Sequence, residues 1–235
     1  MKKSTCLRTV FYVTGLLTLA LGIILNTKSG LGVSPIISVS YSISTIWKLN
    51  FGNMTFVLYA IFVVVEMILH SIRYRKLTHQ EEPIRQRSVK KTWGMVILMD
   101  ALQLPLSLVF TRFMNLFSNL IPNPGDKFIW KLLVLLLGIM LTGIGAAMSL
   151  DMRIIPNPGD GIVQAIADCV GKPVGLTKNC FDLFNICLTI SVSFIFVHHL
   201  VGVGLGTVIS VLGVGRVIAF FNHLFLDKMK KITNL

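Results

Sequence analysis

The chain has 235 residues, of which 54% are hydrophobic and only 14% are charged, and its formal net charge is +12. With a mean hydropathy of +0.76, it has too few polar residues to cover the surface of a soluble protein. These values exclude a soluble globular domain and indicate an integral membrane protein in a lipid bilayer.

Six apolar runs approach the roughly 20 residues that a transmembrane helix needs. They cover residues 9–26, 52–69, 93–112, 128–150, 176–197 and 202–226. The runs are continuous and lack the alternation of a membrane β-barrel, so helices must satisfy the backbone hydrogen bonds. The sequence therefore predicts an all-α fold, a polytopic membrane helix bundle with about six spans.

Basic residues concentrate next to the ends of the predicted spans. They precede the first span, fill the segment from Arg73 to Lys91 and follow the last span. Because excess Lys and Arg mark cytoplasmic segments, both termini and the basic loop 73–91 are expected in the cytoplasm. The basic residues form no aromatic-containing surface module, so nucleic-acid binding is not expected.

The sequence contains no recognisable motif for a metal, a cofactor or catalysis. The four cysteines form no C-x-x-C pair, and His70, His198 and His199 lie at predicted span ends, where we expect an interfacial role. No H-E-x-x-H motif and no placed nucleophile and base occur. We expect no metal, no cofactor and no enzymatic activity.

Four matching positions indicate an internal repeat. A displacement of 123 residues aligns Gly15 with Gly138, Gly22 with Gly145, Pro35 with Pro158, and Gly52 with Gly175. All four positions hold residues that shape the backbone, and the apolar runs around them follow the same order. The pattern predicts a duplication, with residues 1–120 as the first repeat and residues 121–235 as the second.

Each predicted repeat contains one short helix between full spans. The first, at 35–47, has thirteen residues, four of them serine, and the second covers 161–170. Both are too short to span a bilayer, so we interpret them as re-entrant or half-length helices. Three crossings per repeat then orient the halves oppositely, as an inverted repeat. Two amphipathic helices on the membrane surface are the alternative.

The hexapeptide IPNPGD occurs twice, ending at Asp126 and at Asp160. Its prolines and its asparagine interrupt helices, and we expect each aspartate to cap the helix that follows it. In the second copy, the free amide groups at the helix start point into the membrane. These amides and the nearby Asn157 are candidate ligand contacts. The recurrence itself has no functional reason that we can identify.

Ionisable residues away from the membrane surface form the candidate substrate- or ion-binding site. They are Asp100, Asp160, Asp182 and Arg216. Because a charge inside a membrane is costly, each is a functional hypothesis. Asn179 and Asn185 flank Asp182 on one helix face. The structural alternative is a buried ion pair of Arg216 with Asp100 or Asp182.

Polar residues of the first short helix complete the candidate site. Ser34, Ser38 and Tyr41 follow one another at three- and four-residue spacing, which gives this helix a polar face. Glu66 and Arg112 lie near predicted span ends, where we expect their side chains to reach the membrane surface.

The segment SGLGVSP after the first span and the segment PNPGDG in the second half resemble the bacterial YczE and YitT type of small multispanning membrane proteins. Members of this type are largely uncharacterised. The resemblance implies a bacterial inner-membrane location and a transport role, and it assigns no catalytic residue.

We therefore expect a small secondary transporter or facilitator for a small polar or ionic solute. A passive channel is one alternative, and a membrane protein that docks a cytoplasmic partner through the basic loop is another. The sequence leaves the solute, the coupling ion and a homo-oligomeric state open.

Overall fold

The computed structural model describes residues 3–78 and 83–233, and within them it describes the backbone alone at residues 3, 77, 78 and 83–92. In these ranges the chain is helical throughout, with short connections and no strand. The helices are α1 (Lys3–Lys28), α2 (Pro35–Ile46), α3 (Phe51–Thr78), α4 (Pro83–Leu120), α5 (Phe128–Asp151), α6 (Pro158–Val170), α7 (Val174–Val197) and α8 (Leu205–Thr233).

Six of the eight helices in the described ranges are long and apolar enough to cross a membrane. The other two, α2 and α6, have only 12 and 13 residues. At 1.5 Å per residue each is about 20 Å long, whereas the hydrocarbon core of a bilayer is about 30 Å thick. The predicted polytopic helical bundle is confirmed, and the chain is a multi-pass membrane protein.

Glycines bring α1 and α5 together at the centre of the bundle. A Cβ atom at Gly22 would overlap the backbone of α5, and one at Gly145 would overlap the backbone of α1. Gly15 lies against Gly145, and Gly138 lies against Gly22. Small residues stabilise helix pairs in membranes because they let the backbones approach closely. The two helices therefore form the close-packed axis of the fold.

The other helices pack around this axis in matching pairs. α2 packs on α7 as α6 packs on α3, and α1 packs on α4 as α5 packs on α8. α2 also contacts α3 as α6 contacts α7. If α1, α2, α3 and α4 correspond to α5, α6, α7 and α8 in this order, each of these helix pairs has a counterpart with the equivalent helices. The main departure is that α3 packs extensively on α4, whereas α7 and α8 have no comparable contact.

The two short helices contact different parts of α3. α2 meets its beginning, where the hydroxyl oxygens of Ser40 and Thr55 lie 3.2 Å apart. α6 meets its second half, where Gly161 lies against Glu66. Thr55 and Glu66 are about 16 Å apart along the helix at 1.5 Å per residue. The short helices therefore occupy opposite ends of the bundle.

The segment that contains α2 begins and ends on one side. Lys28 is the last residue of α1, and Lys48 follows α2. Both line the same cavity, which has a volume of about 530 Å³. This placement agrees with a chain that enters and leaves this segment at one end of the bundle.

Both predictions of helix capping by aspartate are wrong. The N-cap of α5 is Lys127, which makes no side-chain cap hydrogen bond. The N-cap of α6 is Asn157, whose side-chain oxygen accepts a hydrogen bond from the Gly159 amide at 3.1 Å. Pro158 occupies the first turn, where its missing N–H costs nothing. The helix therefore starts before Asp160, which lies inside its first turn.

α3 and α4 extend beyond the apolar runs. α3 continues to Thr78 and α4 begins at Pro83, so most of the predicted loop 73–91 is helical, while residues 79–82 lie outside the described ranges. Arg and Lys are good helix formers, and basic residues in a last turn complement the helix dipole. As a consequence, Glu66 and His70 lie well inside α3 rather than at its end.

Candidate functional site

The centre of the site is a polar cluster between α3 and α4. Glu66 and Asp100 expose only 2% and 3% of their surface. His70 Nδ1 lies 2.8 Å from Asp100 Oδ2, and Gln103 Nε2 donates a hydrogen bond to Glu66 Oε1 at 3.0 Å. Glu66 and His70 are four residues apart on α3, and Asp100 and Gln103 are three apart on α4, so each pair lies on one helix face. The packing of these two helices thus brings four polar side chains together.

The prediction that Glu66 reaches the membrane surface is wrong, since this side chain is buried and hydrogen-bonded. His70 was expected at the interface, but its side chain is only 15% exposed and contacts Asp100. Both residues were placed at a span end because the apolar run stops at Leu69. The continuing helix moves them into the bundle, where a charge needs a partner.

The beginning of α6 lies against this cluster. A Cβ atom at Gly161 would be 2.6 Å from Glu66 Oε2, so the absence of a side chain permits the close approach of the helix. Among the described residues, Glu66 Oε2 and Gln103 Oε1 are buried without a hydrogen-bond partner. Buried acceptors without partners are uncommon in proteins. Their presence here indicates room for a ligand or for water.

A cavity of about 630 Å³ connects the cluster with the starts of α6 and α7. Its volume lies in the range of about 300 to 1,000 Å³ that is usual for ligand pockets. The polar side chains that line it are Glu66, His70, Asp100, Asp160, Gln164 and Lys178. Methionine, leucine, valine and isoleucine side chains from α4 to α8 complete the wall. The cavity is therefore apolar apart from one strongly polar side.

Negative charge predominates around the cavity. Lys178 Nζ lies 3.4 Å from Asp182 Oδ2, one turn along α7, and the other oxygen of this buried carboxylate has no partner among the described residues. The carboxylates of Glu66, Asp100, Asp160 and Asp182 are accompanied by one lysine and one histidine. An excess of acids in a low-dielectric site favours a cation or a proton.

The structural alternative, an ion pair of Arg216 with Asp100 or Asp182, is absent. Asp100 contacts His70, and Asp182 contacts Lys178. Arg216 is exposed on α8, which packs mainly on α5 rather than on α4 or α7. The sequence could not indicate this outcome, because it does not show which face of α8 is directed outward.

The candidate residues of the first short helix lie away from the acidic cavity. The Ser38 and Thr189 hydroxyl oxygens are 2.6 Å apart, and Ser34 is the N-cap of α2 without a side-chain cap hydrogen bond. Tyr41 lines the cavity at the opposite end, together with Lys28 and Lys48. The structure therefore divides the predicted site between the two ends of the bundle.

The asparagines of the predicted site are also divided. Asn157 caps α6 next to the acidic cavity, and it interacts with the buried phenol of Tyr59. Asn179 is exposed. Asn185 is buried, but its side chain donates a hydrogen bond to the Phe181 carbonyl of its own helix at 2.8 Å. Of the three, Asn157 alone helps to shape the cavity.

The predicted site left out Glu66, which was discounted, and also His70, Gln103, Gln164 and Lys178. A signal for Glu66, His70 and Gln103 was present in the sequence. Glu66 and His70 are four residues apart and Asp100 and Gln103 are three apart, and such spacings place polar residues on one helix face. The packing of α3 against α4 was not visible in the sequence.

Six helices of spanning length, with a half-length helix that begins at a buried acidic cluster, define a polytopic membrane protein with an internal polar site. The chain belongs to a family of unknown function, DUF6198, whose profile matches residues 6–80 and 91–223. This membership agrees with the resemblance to a largely uncharacterised type, although the family description names neither YczE nor YitT. No curated protein and no solved structure matches the chain.

Proposed function

We propose that the protein is a small secondary transporter or facilitator that moves a small ionic or polar solute across the bacterial inner membrane. The main support for this proposal is the acidic cluster around Glu66 and Asp100. It is buried at the start of α6 and faces a cavity of about 630 Å³. Charges inside membrane helices cost several kcal/mol unless they are compensated. Their position beside a cavity fits a solute pathway better than a structural contact.

Reciprocal glycine contacts support an inverted repeat of residues 1–120 and 121–235. At the offset of 123 residues, Gly15 corresponds to Gly138 and Gly22 corresponds to Gly145. Gly15 contacts Gly145, and Gly22 contacts Gly138, so each glycine contacts the counterpart of the other. Two equivalent elements related by a two-fold axis make this reciprocal exchange. The matching helix pairs of the two halves add to the argument.

The short helices obey the same relation. Ser38 of α2 lies 2.6 Å from Thr189 of α7. At the offset of 123 residues, Ser38 corresponds to Gly161, and Thr189 corresponds to Glu66. Gly161 and Glu66 are in contact as well. In transporters with inverted repeats, substrates bind where discontinuous helices begin near the membrane midplane. The acidic cluster at the start of α6 corresponds to such a place.

The basic residues support an orientation with both termini in the cytoplasm. Arg8 donates hydrogen bonds to the Met152 carbonyl at 2.7 Å and to the Arg153 carbonyl at 2.8 Å. Arg73 pairs with Asp168 at the outer end of α6. These contacts collect basic residues at the end of the bundle that holds the acidic cavity. Since cytoplasmic segments carry the excess of Lys and Arg, we assign this end to the cytoplasm.

The proposal can be tested in liposomes that contain the purified full chain. Entry of Na⁺, K⁺, Mg²⁺, Mn²⁺ and Zn²⁺ would be followed one at a time with ion-sensitive dyes. Asp100→Asn keeps the shape of the side chain but removes its charge, so we expect loss of ion movement with the fold retained. Asp227→Asn, on the exposed surface of α8, is the matched control and should move ions normally.

Two results would contradict the proposal. Liposomes with protein could admit none of these ions faster than liposomes without it, or Asp100→Asn could move ions at the wild-type rate. A counterflow experiment distinguishes a transporter from a passive channel. Ions on the opposite side of the membrane should accelerate ion entry through a transporter, but not through an open pore.

A further inference from the structure

We propose that Glu66, His70 and Asp100 bind a divalent transition-metal cation at the polar side of the cavity. One donor atom from each of these side chains lies within 4.8 Å of the other two. Two donors come from one face of α3 and the third from α4, so the site exists only where the two helices pack. This explains why the sequence predicts no metal.

The distances fit a metal ion after a small adjustment. His70 Nδ1 and Asp100 Oδ2 are 2.8 Å apart, and neighbouring ligands about 2.1 Å from a tetrahedral zinc ion are separated by about 3.4 Å. A cation can therefore replace the present contact with little movement of these two side chains. The remaining adjustment is an approach of the Glu66 carboxylate.

Two unpartnered acceptors point independently to a ligand. Glu66 is 2% exposed and Gln103 is 0% exposed, yet Glu66 Oε2 and Gln103 Oε1 have no hydrogen-bond partner within the described part of the chain. Burial of such acceptors is unfavourable unless something binds them. A cation held by the Glu66 carboxylate satisfies the first of these acceptors.

Gln103 and Gly161 prepare the Glu66 carboxylate for this role. Gln103 Nε2 holds one of its oxygens at 3.0 Å, which fixes the orientation of the carboxylate, as outer partners of metal ligands do. Gly161 leaves the space beside the other oxygen, since a Cβ atom there would lie 2.6 Å away. The carboxylate is thus oriented on one side and left accessible on the other.

Charge and donor type identify the class of cation. Two carboxylates and a neutral imidazole carry two negative charges, which one divalent cation neutralises. Donor sets that include imidazole suit Zn²⁺, Fe²⁺, Ni²⁺ and Cu²⁺, whereas Ca²⁺ and Mg²⁺ prefer oxygen ligands alone. Asp160 also lines the cavity and adds negative charge on the path to the site. We infer that this cation is the transported solute, and this last step rests on the proposed function.

Binding is tested on the purified full chain in detergent with Co²⁺ alone, followed by its visible absorption, and then by competition with Zn²⁺. We expect one Co²⁺ per chain, with an absorption spectrum that reports a nitrogen ligand. Glu66→Gln and His70→Ala each remove a ligand and should weaken binding by about 100-fold or more, at the upper end of the losses seen even for outer partners. His223→Ala and Asp227→Asn, both on exposed positions of α8, are the matched controls and should bind normally.

Gly161→Ala provides a variant that keeps every ligand. Its added methyl group would lie 2.6 Å from Glu66 Oε2 and should displace the carboxylate, so we expect a loss of affinity of about tenfold. Size-exclusion profiles and metal-free melting temperatures identify any variant that fails to fold.

The outcomes separate the metal site from the transport function. A wild-type chain that binds neither Co²⁺ nor Zn²⁺, or that binds them equally well after Glu66→Gln and His70→Ala, overturns the metal site, and ion movement in liposomes then still tests transport. Tight binding that these two variants abolish, without entry of Zn²⁺ into liposomes, supports the site and overturns transport of the cation.

Discussion

The two ends of the bundle share the packing of their short helices but differ in chemistry. At one end, α2 packs on α7 through pairs of hydroxyl groups: Ser38 with Thr189 at 2.6 Å and Ser42 with Ser193 at 3.1 Å. At the other end, α6 packs on α3 where a glycine meets the carboxylate of Glu66. One helix–helix interface is neutral, and the other is charged.

The difference shows how a single backbone arrangement can provide both a structural contact and a binding site. Hydroxyl groups in a membrane helix can bond to their own backbone, as Ser38 does to the Pro35 carbonyl at 2.7 Å and Thr189 does to the Asn185 carbonyl at 2.7 Å. A carboxylate has no such local solution, because it only accepts hydrogen bonds when ionised. It requires a partner from another helix or a ligand.

The same contrast extends to the outer helices. α3 packs extensively on α4, where His70 contacts Asp100 and Gln103 contacts Glu66. At the offset of 123 residues, Glu66 corresponds to Thr189, and α7 makes no comparable contact with α8. The polar cluster thus lies between the closely packed helices α3 and α4, whereas α7 and α8 are not in comparable contact.

The largest expected effect concerns the side of the membrane that each end of the bundle faces. If the short helices face opposite sides of the membrane, Lys48→Cys and Lys172→Cys should differ completely in their reaction with an impermeant thiol reagent applied to intact cells. Both positions are exposed and directly follow a short helix or its C-cap. We expect labelling at Lys48→Cys and none at Lys172→Cys, because we assign the basic end of the bundle to the cytoplasm.

This experiment needs a chain without its own cysteines, at positions 6, 169, 180 and 187. Cell lysis is the control, because both variants should react once the membrane is opened. Equal labelling of the two variants in intact cells would mean that both short helices end on one side, and the inverted repeat would then be wrong.

The sequence was sufficient to predict the helices and their number. Continuous apolar runs identify spans because a bilayer demands about 20 apolar residues, and the short length of α2 and α6 excludes a full crossing. Two of the three glycine pairs that align at the offset of 123 residues, Gly15 with Gly138 and Gly22 with Gly145, lie where α1 meets α5. The inverted relation itself stays a prediction.

The site could be predicted only in part. Asp100 and Asp160 were identified because charges are rare in spans, but Glu66 was discounted because the basic end of α3 was taken for a loop. Which helices pack together, and which face of a helix is directed inward, depends on tertiary contacts that one sequence does not display. For the same reason, Arg216 was expected in the cluster and lies outside it.

A moderate effect is expected from Asp182→Asn. The charge of Asp182 contributes to the negative potential of the cavity, so ion movement should fall severalfold. The loss of stability should be small, since the Lys178 side chain is 38% exposed and faces the cavity, so its charge is not left buried without a partner. Melting in detergent and ion entry into liposomes are the two measurements.

Arg216 provides the control for this variant. Because Arg216 is exposed on α8, adding Arg216→Gln to Asp182→Asn should restore neither stability nor ion movement. Recovery of both in the double variant would show that the two residues interact and that Asp182 has a structural role rather than a role in the site.

The smallest effect is expected at the neutral end. Ser38→Ala removes one side of the contact with Thr189 but leaves the Thr189 hydroxyl bonded to the Asn185 carbonyl, so no buried group loses all its partners. Hydrogen bonds between membrane helices average about 0.6 kcal/mol, and a double-mutant cycle with Thr189→Val should give a coupling energy of this size. Ion movement should be unchanged in all three variants, because both hydroxyl groups have hydrogen-bond partners within the bundle. A strong loss of ion movement in Ser38→Ala, with normal melting in detergent, would instead assign the polar face of α2 to the binding site, and the two ends of the bundle would then share the function that we assign to one.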